Sequence, residues 1–173
     1  METKKRFVLG IDPGANGFMV ILDLSSRSVV DSYNLKFLPD GQFDSFDCQR
    51  WLLGVLKVHD ASIVRCSLES VHAIFGASAK ATFQFGRCLG SLETFLNLLG
   101  IPFKPVQPKT WQKVMWEGIR PIVKGGKIDT KATSLSAAIK LFPQHDFRRT
   151  VNCKNADDNK VDATLLAYYS CIS

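Results

Sequence analysis

The chain has 173 residues and a net charge of +6, from 22 Lys and Arg against 16 Asp and Glu. That length suits one domain, residues 1–173, with a substantial core, and no stretch approaches the roughly 20 apolar residues of a membrane span. The cysteines (Cys48, Cys66, Cys88, Cys153 and Cys171) are odd in number and lack Cys-x-x-Cys spacing, which argues against zinc and for free thiols in a reducing, intracellular compartment.

Met1-Glu2-Thr3-Lys4-Lys5 runs straight into an apolar stretch, so no signal or transit peptide is expected. Residues 5–12 read as a buried strand: Phe7, Val8, Leu9 and Ile11 form a short run stopped by Pro13-Gly14. Residues 17–24 and, after the turn Ser25-Ser26-Arg27-Ser28, residues 29–36 read as the second and third strands of an antiparallel meander. Residues 37–47 read as a loop. Residues 48–58, with Trp51, Leu52, Leu53, Val55 and Leu56, fit an amphipathic helix. A fourth strand spans 62–69. Residues 78–99 read as one long helix with Gly100 as its C-terminal cap. A short fifth strand spans 101–106, and Pro108 opens a helix carrying Trp111, Val114 and Met115. Trp111 and Trp116 are assigned to a core or an interface. Residues 118–130 read as a mobile basic loop, 131–141 as a helix stopped by Pro143, 143–157 as a second basic loop and 158–170 as the last helix. No repeat or low-complexity segment interrupts this order, which predicts one α/β domain.

Four acidic residues stand out against that frame. Asp12 and Glu69 each close an apolar strand, and in open α/β sheets sites lie at the carboxyl ends of strands. Pairing the fourth strand with the first would bring the two together. Asp158 and Asp162 are four apart at the start of the last helix and share one face; Asp157 is turned away from Asp162 unless it precedes the helix. Asp162 falls among Val161, Ala163, Leu165 and Leu166, and a buried acid needs a partner or a metal. Converging carboxylates repel unless cations sit between them, and an all-oxygen set suits Mg²⁺ or Mn²⁺. Two such ions can activate water and stabilise the leaving oxygen in phosphodiester hydrolysis.

Charge is segregated along the chain. Residues 101–154 hold eleven basic and three acidic residues, a local charge of +8, while the remainder is −2. Such segregation favours a phosphate-rich partner.

Gly10-Ile11-Asp12-Pro13-Gly14, Leu68-Glu69-Ser70-Val71-His72, the Phe85-Gly86-x-x-x-Gly90 helix, Pro108-Lys109-Thr110-Trp111 and Asp162-Ala163-x-Leu165-Leu166-Ala167 occur in the order seen in RuvC-like Holliday junction resolvases. The chain resembles that family over nearly its whole length, with spacing closer to phage and organellar members than to typical bacterial ones. The resemblance implies an α/β ribonuclease H-like fold: a five-stranded mixed sheet, strands one to three antiparallel, flanked by helices. It implies a homodimer, formed through the 78–99 helix, that nicks symmetric strands of a four-way DNA junction and leaves 5′-phosphate ends. It marks Asp12, Glu69, Asp158 and Asp162 as the catalytic set holding two Mg²⁺ (or Mn²⁺) ions. One departure matters: typical bacterial members place the third acid three residues before the last, where this chain has Asn159. Other relatives place an Asp-His pair at the positions of Asp157 and Asp158, so Asp157 stands as the alternative to Asp158.

The resemblance extends with less specificity to a DNA-binding set. His72 occupies the position of an aromatic that stacks on DNA at the crossover, and Phe75 follows it. Lys113 and Lys131 match basic positions near the substrate cleft; Lys109 lies on the same helix as Lys113. Lys124, Lys127, Arg148, Arg149 and Lys154 lie in loops that could follow phosphates. A phage, virus-infected or bacterial cytoplasm, or an organelle, suits such a protein. The competing readings are a nuclease for forks, flaps or RNA and a non-catalytic junction-binding module. An actin-type ATPase is disfavoured, because the chain is too short for duplicated nucleotide-clamping domains and Lys124-Gly125-Gly126-Lys127 has the wrong spacing for a P-loop.

Overall fold

The structure, a computed structural model, describes residues 4–70 and 78–173. Five strands form one mixed sheet: β1 (Lys5–Asp12), β2 (Phe18–Asp23), β3 (Val29–Asn34), β4 (Ala61–Glu69) and β5 (Phe103–Val106), in the order β3-β2-β1-β4-β5. The first three are antiparallel; β4 joins β1, and β5 joins β4, in parallel. This is the expected architecture, with β4 beside β1. The turn from β2 to β3 is fixed locally: Asp23 Oδ1 accepts from the amides of Ser25 and Ser26 at 2.8 and 3.0 Å, and Arg27 adopts a left-handed φ of 56°.

The helices are α1 (Ser45–His59), α2 (Ala79–Leu98), α3 (Pro108–Met115), α4 (Thr130–Leu141) and α5 (Asp158–Ile172). Side chains cap most of their N-termini: Asp44 for α1, Ser78 for α2, Asp129 for α4 and Asp157 for α5. Such caps satisfy amides that have no partner inside the helix. α3 instead begins on Pro108, which lacks an amide to satisfy. Among the described residues no helix is long and apolar enough to cross a membrane, and all five cysteines are free.

Strand pleat divides the core. Phe7, Leu9 and Ile11 of β1 point to the face covered by α1 and α2, with Leu68 and Leu96. Val8 points to the other face, with Phe18, Trp111, Ala163 and Leu166. Because side chains alternate along a strand, Gly10 and Asp12 share the Val8 face. α5 presses directly on that face: a Cβ on Gly10 would lie 2.1 Å from the Ala167 amide nitrogen and 2.2 Å from the Ala163 carbonyl oxygen. Only glycine permits this approach.

One loop expectation is corrected. Residues 118–130 contain a two-stranded ribbon, β6 (Val123–Lys124) and β7 (Lys127–Ile128). Gly125 and Gly126, at φ 59° and 75°, supply the positive φ pair of a tight hairpin turn, which the glycine count had suggested was mobility. Residues 143–157 are anchored by a bridge between Arg148 and Ala156, by Arg148 on Asp146, and by Arg149 on Asp157.

Candidate active site

Ile11 pairs with Leu68 at the end of the β1–β4 register, so the next residues, Asp12 and Glu69, finish adjacent parallel strands side by side. Asp12 is 7% exposed. Burial raises its carboxyl well above the ordinary value, and the charges of Glu69 and Asp162 raise it further. Burial also raises Glu69, although hydrogen bonds from Trp111 and Asp12 work the other way.

Trp111 fixes Glu69 from below. Its ring is fully buried, and its Nε1 donates to Glu69 Oε1 at 2.8 Å. The ring was expected in a core; its part in orienting an acid was missed. The signal available was its pairing with Met115 on one face of a short helix that opens right after β5.

Asp162 reaches the same place from α5. Burial pushes its carboxyl up to about 7, with Glu69 adding to the effect and Ser134 opposing it. Its Oδ1 is enclosed and has no hydrogen-bond partner among the described residues. A buried, unpartnered carboxylate oxygen is costly, and it marks the place where a cation is wanted. Among the described residues no three His, Cys, Asp or Glu side chains already stand in metal-ligating geometry. The donor chemistry nevertheless fits Mg²⁺ or Mn²⁺: oxygen-only, rich in negative charge and partly dehydrated.

The remaining acids differ sharply in their contacts. Asp157 caps α5, with Oδ1 accepting from the amides of Asn159 and Lys160 at 3.0 and 3.2 Å, and its Oδ2 meets Arg149 Nε at 2.6 Å. Asp158 lies on the first turn of α5, its side chain 44% exposed and paired with Lys131 Nζ at 2.7 Å. The like charge of Asp158 is felt at Asp162, and that of Asp157 at Asp12.

The basic residues fall in different surroundings. Lys109, Lys113, Lys124, Lys127, Lys131 and Lys154 are exposed. Lys109 and Lys113 line an open cleft on the outer side of α3, and Lys124 faces Lys127 across the ribbon. Arg148 and Arg149 turn inward instead. Arg148 bonds Asp146 and the carbonyls of Val151 and Cys153. His72 and Phe75 lie outside the described residues. A separate groove of about 540 Å³, lined in part by Phe46, Arg87, Gly90 and Leu98, runs between α1 and α2. It lies on the far face of the sheet from the carboxylates.

No protein-family model matches the sequence, and no curated protein matches it. Solved structures do match in three dimensions. The Thermus thermophilus RuvC structure superposes with a TM-score of 0.59 at 16% identity, covering 93% of this chain and 90% of that one. T. thermophilus RuvC in complex with Holliday junction substrate gives 0.58 at 14% identity with the same coverage. The yeast mitochondrial Holliday junction resolvase Ydc2 gives 0.55 at 15% identity, covering 98% of this chain and 78% of that one. The class defined by the sheet order and these superpositions is the ribonuclease H-like fold. Its particular form is the one these RuvC-type structures share.

Proposed function

We propose that the chain is a metal-dependent, structure-selective DNA endonuclease that resolves four-way junctions by paired symmetric nicks. The observation that carries this reading is the meeting of Asp12, Glu69 and Asp162 at the carboxyl ends of β1 and β4 on a RuvC-type fold. Asp12, Glu69, Asp162 and Asp158, or Asp157 in its place, would hold two Mg²⁺ or Mn²⁺ ions. Such ions would neutralise charge on the scissile phosphodiester and activate water for attack; 5′-phosphate ends are what the resemblance to the resolvases implies.

The chain's own residues perform the rest. Trp111 keeps Glu69 in one orientation, so that little reorganisation is left for the reaction. Lys131 sits at the rim, able to release Asp158 and turn to a phosphate. Lys109, Lys113, Lys124, Lys127 and Lys154 offer exposed cations to the junction arms, consistent with the +8 charge of residues 101–154. His72 and Phe75 remain proposed stacking residues at the crossover. A homodimer formed through α2 would present two sites to a substrate with two-fold symmetry.

The test is cleavage of labelled four-way junctions, flaps, forks, duplexes and RNA in Mg²⁺, Mn²⁺ or EDTA, with wild type and Asp12→Asn. Expected are paired nicks confined to the junction, lost in EDTA and in Asp12→Asn while binding persists. Preferential cutting of flaps or RNA would change the substrate class. Junction binding with no cleavage by wild type in either metal would leave a binding module.

A further inference from the structure

Arg149 lies over the row of the sheet that ends in Asp12. In that row Asp12 pairs with Phe18, and Phe18 pairs with Asn34. The guanidinium carbon of Arg149 stands 5.0 Å from the centroid of the Phe18 ring. Its Nη1 donates to Asn34 Oδ1 at 3.0 Å, and its Nη2 donates to the Asn16 carbonyl in the turn after Asp12 at 2.9 Å. Its Nε completes the set on Asp157 Oδ2 at 2.6 Å. The side chains of Arg149 and Asp157 are only 26% and 14% exposed, so solvent screens this pair poorly.

We propose that Arg149 is a positioning residue of the carboxylate site, holding Asp157 as the cap of α5 so that Asp158 completes the metal-binding set. This rests on the nuclease reading above and deepens it. Both oxygens of Asp157 are already engaged, Oδ1 by two helix amides and Oδ2 by Arg149. Asp158 has one exposed partner among the described residues, Lys131, and lies one helical turn from Asp162 on the same face. Through the same fork Arg149 ties the loop before α5 to the turn after Asp12, so one side chain sets the spacing between the first and last acids. A guanidinium suits this role because its planar fork directs several donors at fixed angles. The arrangement opposes the sequence expectation of a phosphate contact: each of its three nitrogens already donates inside the protein.

The decisive measurements are Mn²⁺ binding by calorimetry on DNA-free protein and the salt dependence of junction binding, with cleavage followed in parallel. Arg149→Ala is expected to weaken Mn²⁺ binding roughly 10- to 100-fold, the range for groups that orient metal ligands, with the salt slope unchanged. Arg149→Lys should recover part of the affinity, since a lysine can meet Asp157 but not the other acceptors. Asp157→Asn preserves a good helix cap but loses its bond to Arg149, so it should weaken Mn²⁺ binding no more than Arg149→Ala and add nothing when combined with Arg149→Lys, whereas Asp158→Asn should lose about tenfold or more and add to Arg149→Lys. Should Arg149→Ala fail to fold, Arg149→Lys and Asp157→Asn still decide the matter. A salt slope lowered by about one with Mn²⁺ affinity intact would make Arg149 a phosphate ligand and overturn the proposal. A loss of Mn²⁺ binding in Asp157→Asn that adds fully to that of Arg149→Lys would make Asp157 a ligand in its own right and would also overturn it. Wild type that binds Mn²⁺ but cuts no branched nucleic acid would sink the nuclease reading alone, and the Mn²⁺ data would still judge Arg149.

Discussion

The indole N–H of Trp111 meets Glu69 Oε1 at 2.8 Å from a fully buried ring. Trp111→Phe keeps most of the volume and removes that donor. A hydrogen bond to a charged group contributes about 1.5–3 kcal/mol. Junction cleavage should therefore fall roughly 10- to 100-fold in single-turnover assays, with DNA affinity little changed. Asp162 supports a second prediction at this scale. Its folded carboxyl lies near 7 against an ordinary 3.8, raised first by burial and then by Glu69. Between those values the folded state binds more protons than the unfolded one. The contribution of Asp162 to metal-free stability must then fall as pH rises through that window and level off above it. Asp47 does not mask the effect: the hydrogen bonds from Lys36, Tyr33 and Arg50 hold it at about 2, so its contribution changes only below about pH 4. Thermal melts in EDTA should show the Tm of wild type dropping relative to that of Asp162→Asn from pH 4 to pH 7, a difference in which the opposite contribution of His145, lowered by burial, cancels. Asp162→Asn should melt higher than wild type at pH 8.

At the scale of elements, the contact between β1 and α5 decides whether the site exists. Gly10 lets α5 lie against the strand, and Gly17 is similarly confined, with a Cβ there 2.3 Å from the Asp12 carbonyl oxygen. The atoms met at Gly10 are backbone and cannot rotate away. Gly10→Ala should cost on the order of 3 kcal/mol or more, read as a lower urea midpoint at unchanged m-value, or should leave no folded protein. Gly54→Ala, in open space on α1, should be neutral or slightly stabilising and serves as the control. The element order was legible in sequence because strand runs, helix stripes and caps are local signals: Pro108 opens α3, and Asp12 and Glu69 close their strands as read. The ribbon at Val123–Ile128 was not, since two residues per strand carry no periodicity.

For the whole molecule, the exposed side of α2 is the surface that bears on assembly. Phe83 and Leu98 are 65% and 82% exposed, and among the described residues nothing lies within 4 Å of a Cβ built on Gly86 or Gly90. The glycines therefore do not serve packing inside the described fold, which favours α2 as the proposed dimer surface. Light scattering should give a dimer mass, halved by Gly90→Arg, and the monomeric variant should convert paired junction nicks into single, uncoordinated ones. By itself the sequence determined the element order, the acids at the strand ends and the basic segment, because these follow from near-neighbour chemistry and composition. Only the tertiary structure decided which contacts each charge makes. Arg149 and Lys131 look alike in sequence as cations in a basic region. One is fixed inside by Asp157, Asn34 and Asn16, and the other stays at the rim on Asp158. That difference arises from contacts between residues more than a hundred positions apart, such as Arg149 with Asn16 and Asn34, and no local pattern encodes them.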